Sequence, residues 1–362
     1  MSDPSAADPA AEAGAGLPHR PTGRDVARLA GVSQATVSLV FSSGEAARAR
    51  VSAATRDRVR AAAAELGYQP QAAGRQLRLG RTGLVHLAVP NMLGPFFARV
   101  LDGAQGAATA HGLAVVVSSG WDSDTLARAC GTGQFDGLLL CSPDDSQLGE
   151  LPASLPVVFL DADPAGVADS PLRRALELDV AGGMAAAVRH LRELGHSRIG
   201  HLRSTDSAYT FRSRQAGFER AARGAEVVEA GVSINGGLEA GRAAARTLLG
   251  RADRPQALVC DDDVVAAAAY HVAAELGLRI PDDLSVVGID NILAAQLLSP
   301  GLTTVDLPGE RLGSAGLDLL AELINGGRPP GPAPLETALL LRGSTKGAPG
   351  RRVRSEGGPE DS

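Results

Sequence analysis

The sequence predicts a small all-α head followed by an α/β body of two doubly wound lobes, each a parallel sheet covered by helices. The N-terminal part shows apolar residues at helical spacing, whereas the rest alternates short apolar runs with Ala-rich stretches. Near-continuous apolar strands separated by amphipathic helices are typical of parallel sheets that are buried on both faces. The length of 362 residues, 44% of them hydrophobic, suits two or three domains of about 150 residues each.

The two ends of the chain are predicted to be disordered tails, over residues 1–20 and 346–362. The first is rich in Ala, Pro, Gly and acids, and it lacks the basic start and apolar core of a signal peptide. No apolar run reaches the roughly 18 residues that a membrane span needs, so we expect a cytoplasmic protein without membrane contact. Cys130, Cys141 and Cys260 lack paired spacing and are interpreted as buried thiols, not as a metal site.

The formal net charge of −6 is unevenly distributed along the chain. Between Pro21 and Arg81, ten arginines face four acidic residues, a balance of +6, so the remaining residues carry −12. A basic module joined to an acidic body indicates a polyanion-binding head on a soluble domain. Charge alone leaves a solvated helical surface open as the alternative.

The head, predicted over residues 21–69, begins with a short amphipathic helix. Val26, Leu29 and Ala30 recur at the spacing of one helical face. Thr22 is placed to cap the start of this helix, and Gly31 can adopt the left-handed conformation that ends it. The first helix is therefore expected to bury Val26, Leu29 and Ala30.

Two more helices are predicted in the head. Ser33 caps the second, whose inward stripe is Val37, Val40 and Phe41. Ser52 caps the third, whose inward residues are Val59, Ala62, Ala63 and Leu66. Two helices joined by a short turn containing Gly are typical of the helix-turn-helix, which places its second helix in the major groove of DNA. Periodicity alone leaves an ordinary three-helix module equally open.

The body, predicted over residues 82–345, supplies the strands of both sheets. Its apolar runs include LVHLAVP, AVVVSS, DGLLLC and PVVFLD, followed by RIGHLR, ALVCDD, SVVGID and LTTVDLP. A ligand cleft is expected outside the carboxyl ends of these strands. No dinucleotide fingerprint or phosphate loop follows the first strand, so we expect no nucleotide cofactor.

The stretch RDVARLAGVSQATVSLVF, with VSAATRDRVRAAAAELGYQP after it, resembles the DNA-binding domain of the lactose/galactose-repressor (LacI/GalR) family. The motifs HLRELGHSRIGHL, RQAGFERA, GLRIPDDLSVVGIDN and SPGLTTVDLP extend the resemblance from about residue 22 to 345. It implies a periplasmic-binding-protein-like body and a nucleoid-associated transcriptional regulator, a repressor, that binds a pseudo-palindromic DNA operator as a homodimer. A small sugar or sugar derivative would bind between the lobes as effector.

The resemblance also implies which residues contact DNA. Gln34, Ala35 and Leu39 would read base edges. The other expected contacts, phosphate-binding for the most part, are Thr22, Thr36, Ser38, Ser42 and Ser52. In a hinge helix or linker over residues 70–81, Leu77 would wedge into the minor groove beside Arg75. The alternative for Leu77 is a linker leucine that rests on the body.

By the same resemblance, the lobes would be joined by three crossovers. These are expected near residues 162–176, 290–304 and 328–335. Lobe 1 would then span about 82–162 plus 304–328, and lobe 2 about 176–290 plus 335–345.

The resemblance aligns Arg214 and Asp263 with effector ligands of the family. A guanidinium opposite a carboxylate suits a polyhydroxylated ligand, because hydroxyl groups both donate and accept hydrogen bonds. An interlobe salt bridge is the alternative. Asp262 adds a third adjacent acid to the run CDDD, which favours extra hydroxyl acceptors or a cationic effector over a divalent metal. Aromatic candidates for the pocket are Phe96, Phe97, Trp121, Tyr209 and Phe211, with core filling as the alternative for Phe97.

Two other classes of protein share part of this pattern. A pure solute-binding protein would need an export signal and no helix-turn-helix. An enzyme on a doubly wound fold would need a nucleophile elbow, a phosphate loop or metal-spaced histidines, and the sequence has none of them. We therefore expect no catalytic residue, no metal and no cofactor. Whether the effector induces or co-represses stays open.

Overall fold

The computed structural model describes residues 21–41, 50–68, 81–120, 123–144, 151–167 and 170–348. Its contacts divide the chain into two units, residues 1–80 and 81–362, which we call the head and the body. The sequence predictions at Ser42, Arg75, Leu77 and Trp121 lie outside the described residues, as do the tail over residues 1–20 and most of the tail after residue 345.

Three helices form the described part of the head: α1 (Gly23–Ala30), α2 (Gln34–Val40) and α3 (Ala53–Leu66). At the start of α1, the Asp25 carboxylate accepts hydrogen bonds from the backbone N and the hydroxyl of Thr22, at 2.9 and 2.7 Å. Ser33 and Ser52 cap α2 and α3 by accepting the backbone N–H three residues ahead. The three predicted helix starts are thus present.

The head has a small core of its own. Its buried apolar residues are Val26, Ala27, Ala30, Val37, Val40, Val51, Val59, Ala62 and Ala63. The expectation that Leu29 faces inward was wrong, since Leu29 is 47% exposed. Helix α1 packs against both α2 and α3, so its buried face is centred between Val26, Ala27 and Ala30 and leaves Leu29 outside it.

The first sheet of the body is parallel, with strand order β2-β1-β3-β4-β5 among the described residues. Its strands are β1 (Leu84–Val89), β2 (Ala114–Ser119), β3 (Gly137–Cys141), β4 (Val157–Leu160) and β5 (Arg173–Leu176). Helices α4 (Pro95–Ala110) and α5 (Ser123–Gly131) connect successive strands, and a 3-10 turn (Pro164–Gly166) precedes β5.

The second sheet has the order β11-β10-β9-β8-β6-β7 in the described part of the chain, and its pairs are parallel except for β10 with β11. Its strands are β6 (Arg198–Ser204), β7 (Glu226–Val232), β8 (Ala257–Cys260), β9 (Ser285–Asp290), β10 (Thr303–Asp306) and β11 (Ala338–Leu340). The helices that follow β5 are α6 (Val180–Glu193), α7 (Tyr209–Ala222), α8 (Gly237–Leu249), α9 (Asp263–Glu275), α10 (Leu293–Leu297) and α11 (Gly309–Ile324). Two doubly wound lobes are therefore confirmed.

The chain passes between the sheets later than expected. Strand β5 pairs with β4 in the first sheet, and β10 pairs with β9 in the second. The expected crossovers at 162–176 and 290–304, and the lobe boundaries built on them, therefore fall too early. The physical reason is that backbone pairing keeps both short strands in their sheets, although only Ala175 and Leu176 of β5 are buried.

One apolar core runs through both lobes. It contains residues of both sheets and of α4, α6 and α11, for example Val85, Met184, Val305 and Leu317. In the first lobe, Gly103 of α4 and Gly313 of α11 face backbone atoms of the opposite helix with no room for a Cβ. No helix among the described residues is long and apolar enough to cross a membrane.

Candidate functional site

A cavity of about 760 Å³ opens in the body where loops after the strands of both sheets meet. The first sheet contributes residues after β1, β3 and β4, among them Asn91, Ser142 and Asp161. The second contributes residues after β6, β8 and β9, among them Thr205 and Asp262. The cavity thus lies outside the carboxyl ends of parallel strands, where doubly wound folds bind ligands.

Arg214 is the central cationic side chain of this cavity. It lies on α7, is only 4% exposed, and donates from Nη2 to Asp290 Oδ1 at 3.2 Å. Its Nη1 donates to the backbone carbonyl of Asp261. The centroid of the Phe211 ring lies 5.1 Å from the guanidinium carbon. A buried guanidinium is costly unless it is paired, so the site holds Arg214 in place with Asp290 and a carbonyl.

Burial raises the pKa of the carboxyl groups that surround Arg214. The pKa of Asp290 is raised well above its ordinary value by burial and by neighbouring acids, although Arg214 lowers it. The pKa of Asp161 and that of Asp262 are raised as well, chiefly by burial. Burial therefore favours the neutral form of these three carboxyl groups.

Asp161 is a buried acidic residue of the cavity wall that has one carboxylate oxygen available to a ligand. It is 2% exposed, and its Oδ2 accepts a hydrogen bond from the Ser142 hydroxyl at 3.0 Å. No hydrogen bond of regular geometry reaches its Oδ1, Thr210 Oγ1 or Arg214 Nε among the described residues, although the Thr210 hydroxyl lies close enough to Asp161 to lower its pKa. All three residues line the cavity. Since buried polar groups in native proteins are nearly always paired, these atoms indicate a polar ligand.

Three acceptor-bearing residues of the cavity have left-handed backbone. Ser142, Asp161 and Asp290 have φ angles of 46°, 51° and 108°. Such conformations cost of order 1–3 kcal/mol each for residues other than glycine, and they cluster at ligand sites. All three residues directly follow or end a buried strand, so the strained backbone turns their side chains into the cavity.

The structure corrects the expectation for Asp263. Its side chain is fully buried away from the cavity, where Oδ1 accepts from the Thr304 hydroxyl at 2.6 Å and Oδ2 from the Ile292 N–H at 2.9 Å. Burial raises its pKa to about 7. Asp262, one residue earlier, lines the cavity and caps α9 by accepting the Val265 N–H at 2.8 Å. Adjacent side chains at a helix start point in different directions. Asp262 therefore faces the cavity, whereas Asp263 holds Thr304 and Ile292 in place by hydrogen bonds.

Of the aromatic residues predicted for the pocket, some line the cavity and Tyr209 does not. Phe96 lines the cavity and packs edge-on against Phe97, with ring centroids 5.5 Å apart. Tyr209 does not line it, because its hydroxyl donates to Glu177 at 2.6 Å. Phe97 and Phe211, which were also candidates, line it.

Several lining residues escaped the sequence argument: Ser142, Asp161, Thr210 and Asp290. A usable signal was present for three of them, since a polar residue ends or follows the apolar runs GLLLCS, VVFLD and VVGID. Thr210 precedes Arg214 by one helical turn and shares its face of α7.

An ion-pair network connects the two lobes beside the cavity. Arg99 of α4 donates to the carbonyl of Asp290 at 3.2 Å and to Asp306 Oδ1 at 3.3 Å. It also pairs with Glu310 at 2.8 Å, and these carboxylates raise the pKa of Arg99. Asp290 therefore meets Arg214 through its side chain and Arg99 through its backbone.

The histidines near the second sheet have structural partners. His201 is fully buried between Asp261 at 2.9 Å and Glu229 at 3.3 Å, and it stacks on Phe218 at 4.0 Å. The two acids raise the pKa of His201 although burial lowers it. Within the described part of the chain, no cluster of His, Cys, Asp and Glu could hold a metal ion.

In the head, α2 presents small polar residues. Gln34, Ala35 and Ser38 are exposed, whereas Thr36 and Leu39 are partly buried and Leu39 packs against the head core. Thr22 and Ser52 lie at the starts of α1 and α3. A helix with short outward side chains can lie in a major groove about 12 Å wide, and helix starts are suited to phosphate.

Comparison with known proteins matches both units. Residues 22–71 match the family of bacterial regulatory proteins described as lacI family, and residues 188–345 match a periplasmic binding protein-like domain. The transcriptional repressor PurR of Photobacterium profundum is 33% identical over 318 residues, which cover 83% of this chain and 91% of PurR. The repressor CytR of Escherichia coli K12 is 32% identical over 339 residues, 91% of this chain and 97% of CytR.

Solved structures are similar over comparable lengths. A Lac repressor dimer bound to operator and the anti-inducer ONPF has a TM-score of 0.79 at 27% identity, covering 91% of this chain and all of that one. A complex of the transcriptional regulator CelR with cellobiose has a TM-score of 0.64 at 30% identity, covering 90% of this chain. These similarities extend over both the head and the body.

Proposed function

The chain belongs to the LacI family of bacterial regulatory proteins, and we propose that it is a repressor whose operator affinity is set by a small ligand in the body cavity. It is a DNA-binding transcriptional regulator and not an enzyme. The proposal adds that a homodimer binds a pseudo-palindromic operator, since two-fold symmetry of the protein is mirrored in the DNA site. Its place of action would be the cytoplasm, on the nucleoid.

The observation that carries the effector part is a group of buried polar atoms in the cavity wall. No hydrogen bond of regular geometry reaches Asp161 Oδ1, Thr210 Oγ1 or Arg214 Nε in the described chain, and all three belong to residues that line one cavity. A ligand with several hydroxyl groups can satisfy such donors and acceptors together. We propose Phe96, Arg214 and Asp262 as effector-binding residues, joined by Asp161 and Asp290.

The proposed route from effector to DNA begins at Asp290. This residue receives Arg214 within the cavity and Arg99 from the first lobe. A ligand that competes for Arg214 therefore releases the side chain of the residue whose backbone carbonyl accepts a hydrogen bond from Arg99 of the first lobe. Allosteric coupling is typically about 1–3 kcal/mol, so loss of one ion-paired contact is of a sufficient size.

The proposed DNA contacts follow the head helices. Gln34, Ala35 and Leu39 would meet base edges, with Leu39 limited to apolar contact such as a thymine methyl. The remaining proposed contacts are Thr22, Thr36, Ser38 and Ser52, together with Ser42, Arg75 and Leu77 outside the described residues.

Selection of DNA from a random pool by the purified full-length protein tests the proposal. At fixed moderate salt, a pseudo-palindrome should be enriched, and Gln34→Ala should change the enriched sequence. Gln105→Ala, at an exposed position of α4 in the body, is the matched control and should select the same site as the wild type. Salt-sensitive binding without any enrichment would contradict the proposal, because phosphate contacts alone carry no sequence information.

A further inference from the structure

The cavity is strongly acidic. Among its described lining residues only Arg214 is cationic, whereas five carry carboxyl groups: Asp144, Asp161, Asp206, Asp262 and Asp290. Arg214 is already paired with Asp290 and with the carbonyl of Asp261. Among the described lining residues, carboxyl groups therefore outnumber cationic groups five to one.

An independent observation identifies one point of this wall where a donor can bind. Asp161 is 2% exposed and uses Oδ2 for the Ser142 hydroxyl, but no hydrogen bond of regular geometry reaches its Oδ1 among the described residues. A carboxylate oxygen only accepts hydrogen bonds when it is ionised. In its ionised form Asp161 can therefore accept a further hydrogen-bond donor beside the hydroxyls of Ser142 and Thr210.

Two classes of donor differ in what they do to the charge. A hydroxyl group satisfies the oxygen but leaves the balance of charge unchanged. An ammonium group donates three hydrogen bonds, needs no acceptor site and balances one carboxylate. It also gains from aromatic faces nearby, and Phe96, Phe97 and Phe211 line the same cavity.

The pKa directions of two carboxyl groups of the cavity are consistent with a binding site for a cation. Burial raises the pKa of Asp161, whereas Arg214 and the hydroxyls of Ser142 and Thr210 lower it. Burial likewise raises the pKa of Asp206, which follows β6 of the second sheet. A cation that binds here would lower these pKa values again, and its binding would release protons.

We propose that the effector carries a protonated amine on a polyhydroxylated frame, as an amino sugar does, with the ammonium group held by Asp161 and the neighbouring carboxylates. This inference rests on the proposed function, since it names the ligand class of the same cavity. Arg214 would bind hydroxyl groups of the same ligand through Nε.

Isothermal titration calorimetry of the full-length protein tests this directly. The probes are D-glucosamine, D-galactosamine and D-mannosamine, each compared with its parent hexose and its N-acetyl derivative. At least one amine should bind about tenfold or more tightly than both neutral counterparts, as a charge-assisted hydrogen bond implies. Titration in buffers of different ionisation enthalpy should show proton release for that amine.

Variants locate the preference. Asp161→Asn keeps the shape and one acceptor but removes the charge, so it should lower the affinity for the amine about tenfold and that for the parent hexose by less than about threefold. Asp102→Asn, at an exposed position of α4 that does not line the cavity, is the matched control and should change neither.

Equal or tighter binding of a parent hexose or N-acetyl derivative overturns the inference, as does the absence of binding by all three amines. The proposed function is judged separately, by whether a bound ligand changes operator affinity. A neutral sugar that does so leaves the repressor proposal standing without the amine. An amine that binds selectively but leaves operator affinity unchanged supports the ligand class and contradicts the effector role.

Discussion

Replacing Arg214 by methionine removes the cation at the centre of the cavity and keeps an apolar side chain of similar length. Arg214 is 4% exposed and pairs with Asp290 at 3.2 Å. The variant therefore leaves a 9%-exposed carboxyl group without its ion-pair partner. Both stability and ligand binding should respond.

The magnitude follows from the fate of Asp290. Breaking a buried ion pair by removing one partner costs about 3–5 kcal/mol. Because burial already raises the pKa of Asp290 well above its ordinary value, this group can protonate instead of staying charged. We therefore expect Arg214→Met to lower the free energy of unfolding by about 3 kcal/mol, the lower end of that range.

The penalty should increase with pH. Arg214 lowers the pKa of Asp290 in the native protein, so its removal raises that pKa further. A carboxyl group whose pKa is higher in the folded than in the unfolded state binds more protons when folded, and stability then falls as pH rises. Arg214→Met should thus lose more stability at pH 8 than at pH 5.

Urea unfolding of the wild type, Arg214→Met and the double variant Arg214→Met/Asp290→Asn measures these differences. The double variant should recover most of the loss, because a neutral amide replaces the unpaired acid. Arg220→Met, at an exposed position of the same helix, is the control and should stay within about 0.5 kcal/mol.

The reasoning would be refuted if Arg214→Met were as stable as the Arg220→Met control at both pH values. It would also fail if Asp290→Asn worsened the Arg214→Met variant, since the lost pair could not then be the cause. A variant that folds and still binds the effector with unchanged affinity would remove Arg214 from the proposed site.

Three further predictions concern packing, protonation and the hinge. In a thermal unfolding assay, Gly103→Ala should lower the free energy of unfolding by about 1–3 kcal/mol, because a Cβ there meets the backbone of Glu310. Gly106→Ala, whose added Cβ has no atom within 4 Å, should raise it by roughly 0.5–1 kcal/mol. The pKa of about 7 at Asp263 should contribute about 2–3 kcal/mol to the stability that the wild type loses between pH 5 and pH 8. Chemical denaturation of Asp263→Asn should therefore find a loss that is smaller by this amount. Leu77→Ala should weaken specific DNA binding in a fluorescence anisotropy titration and leave effector affinity unchanged, whereas equal loss of both would mean that the hinge is misplaced.

The helices of the head were largely accessible from the sequence because helix starts and stripes are local. The side chains of Ser33 and Ser52 each accept the backbone N–H three residues ahead, within one turn of the helix that they cap. Leu29 escaped this logic, since its exposure depends on which sides of α1 the neighbouring helices occupy. Periodicity indicates that a face is apolar, but the packing partners set its centre.

The limits of the lobes were less accessible. Strand β5, with the sequence RRAL, has two charged residues out of four, so composition does not mark it as part of a sheet. Its place is set by pairing with β4, a contact between separate segments. The crossovers could therefore be expected from the resemblance to a family but not positioned to the residue.

For the ligand site, the apolar runs indicated a cleft outside the carboxyl ends of the strands, and the resemblance to the family supplied Arg214 and an acidic neighbour. Which acidic side chains face the cavity depends on the tertiary structure, which local sequence patterns do not determine. Asp262 and Asp263 are adjacent, yet one lines the cavity and the other is bonded to Thr304 and Ile292. Asp290 pairs with Arg214 from the second sheet, and Asp161 acts on it electrostatically from the first. Local spacing specifies elements and their chemistry, whereas convergence of side chains from distant strands arises from how two sheets pack, because that packing alone brings remote loops together.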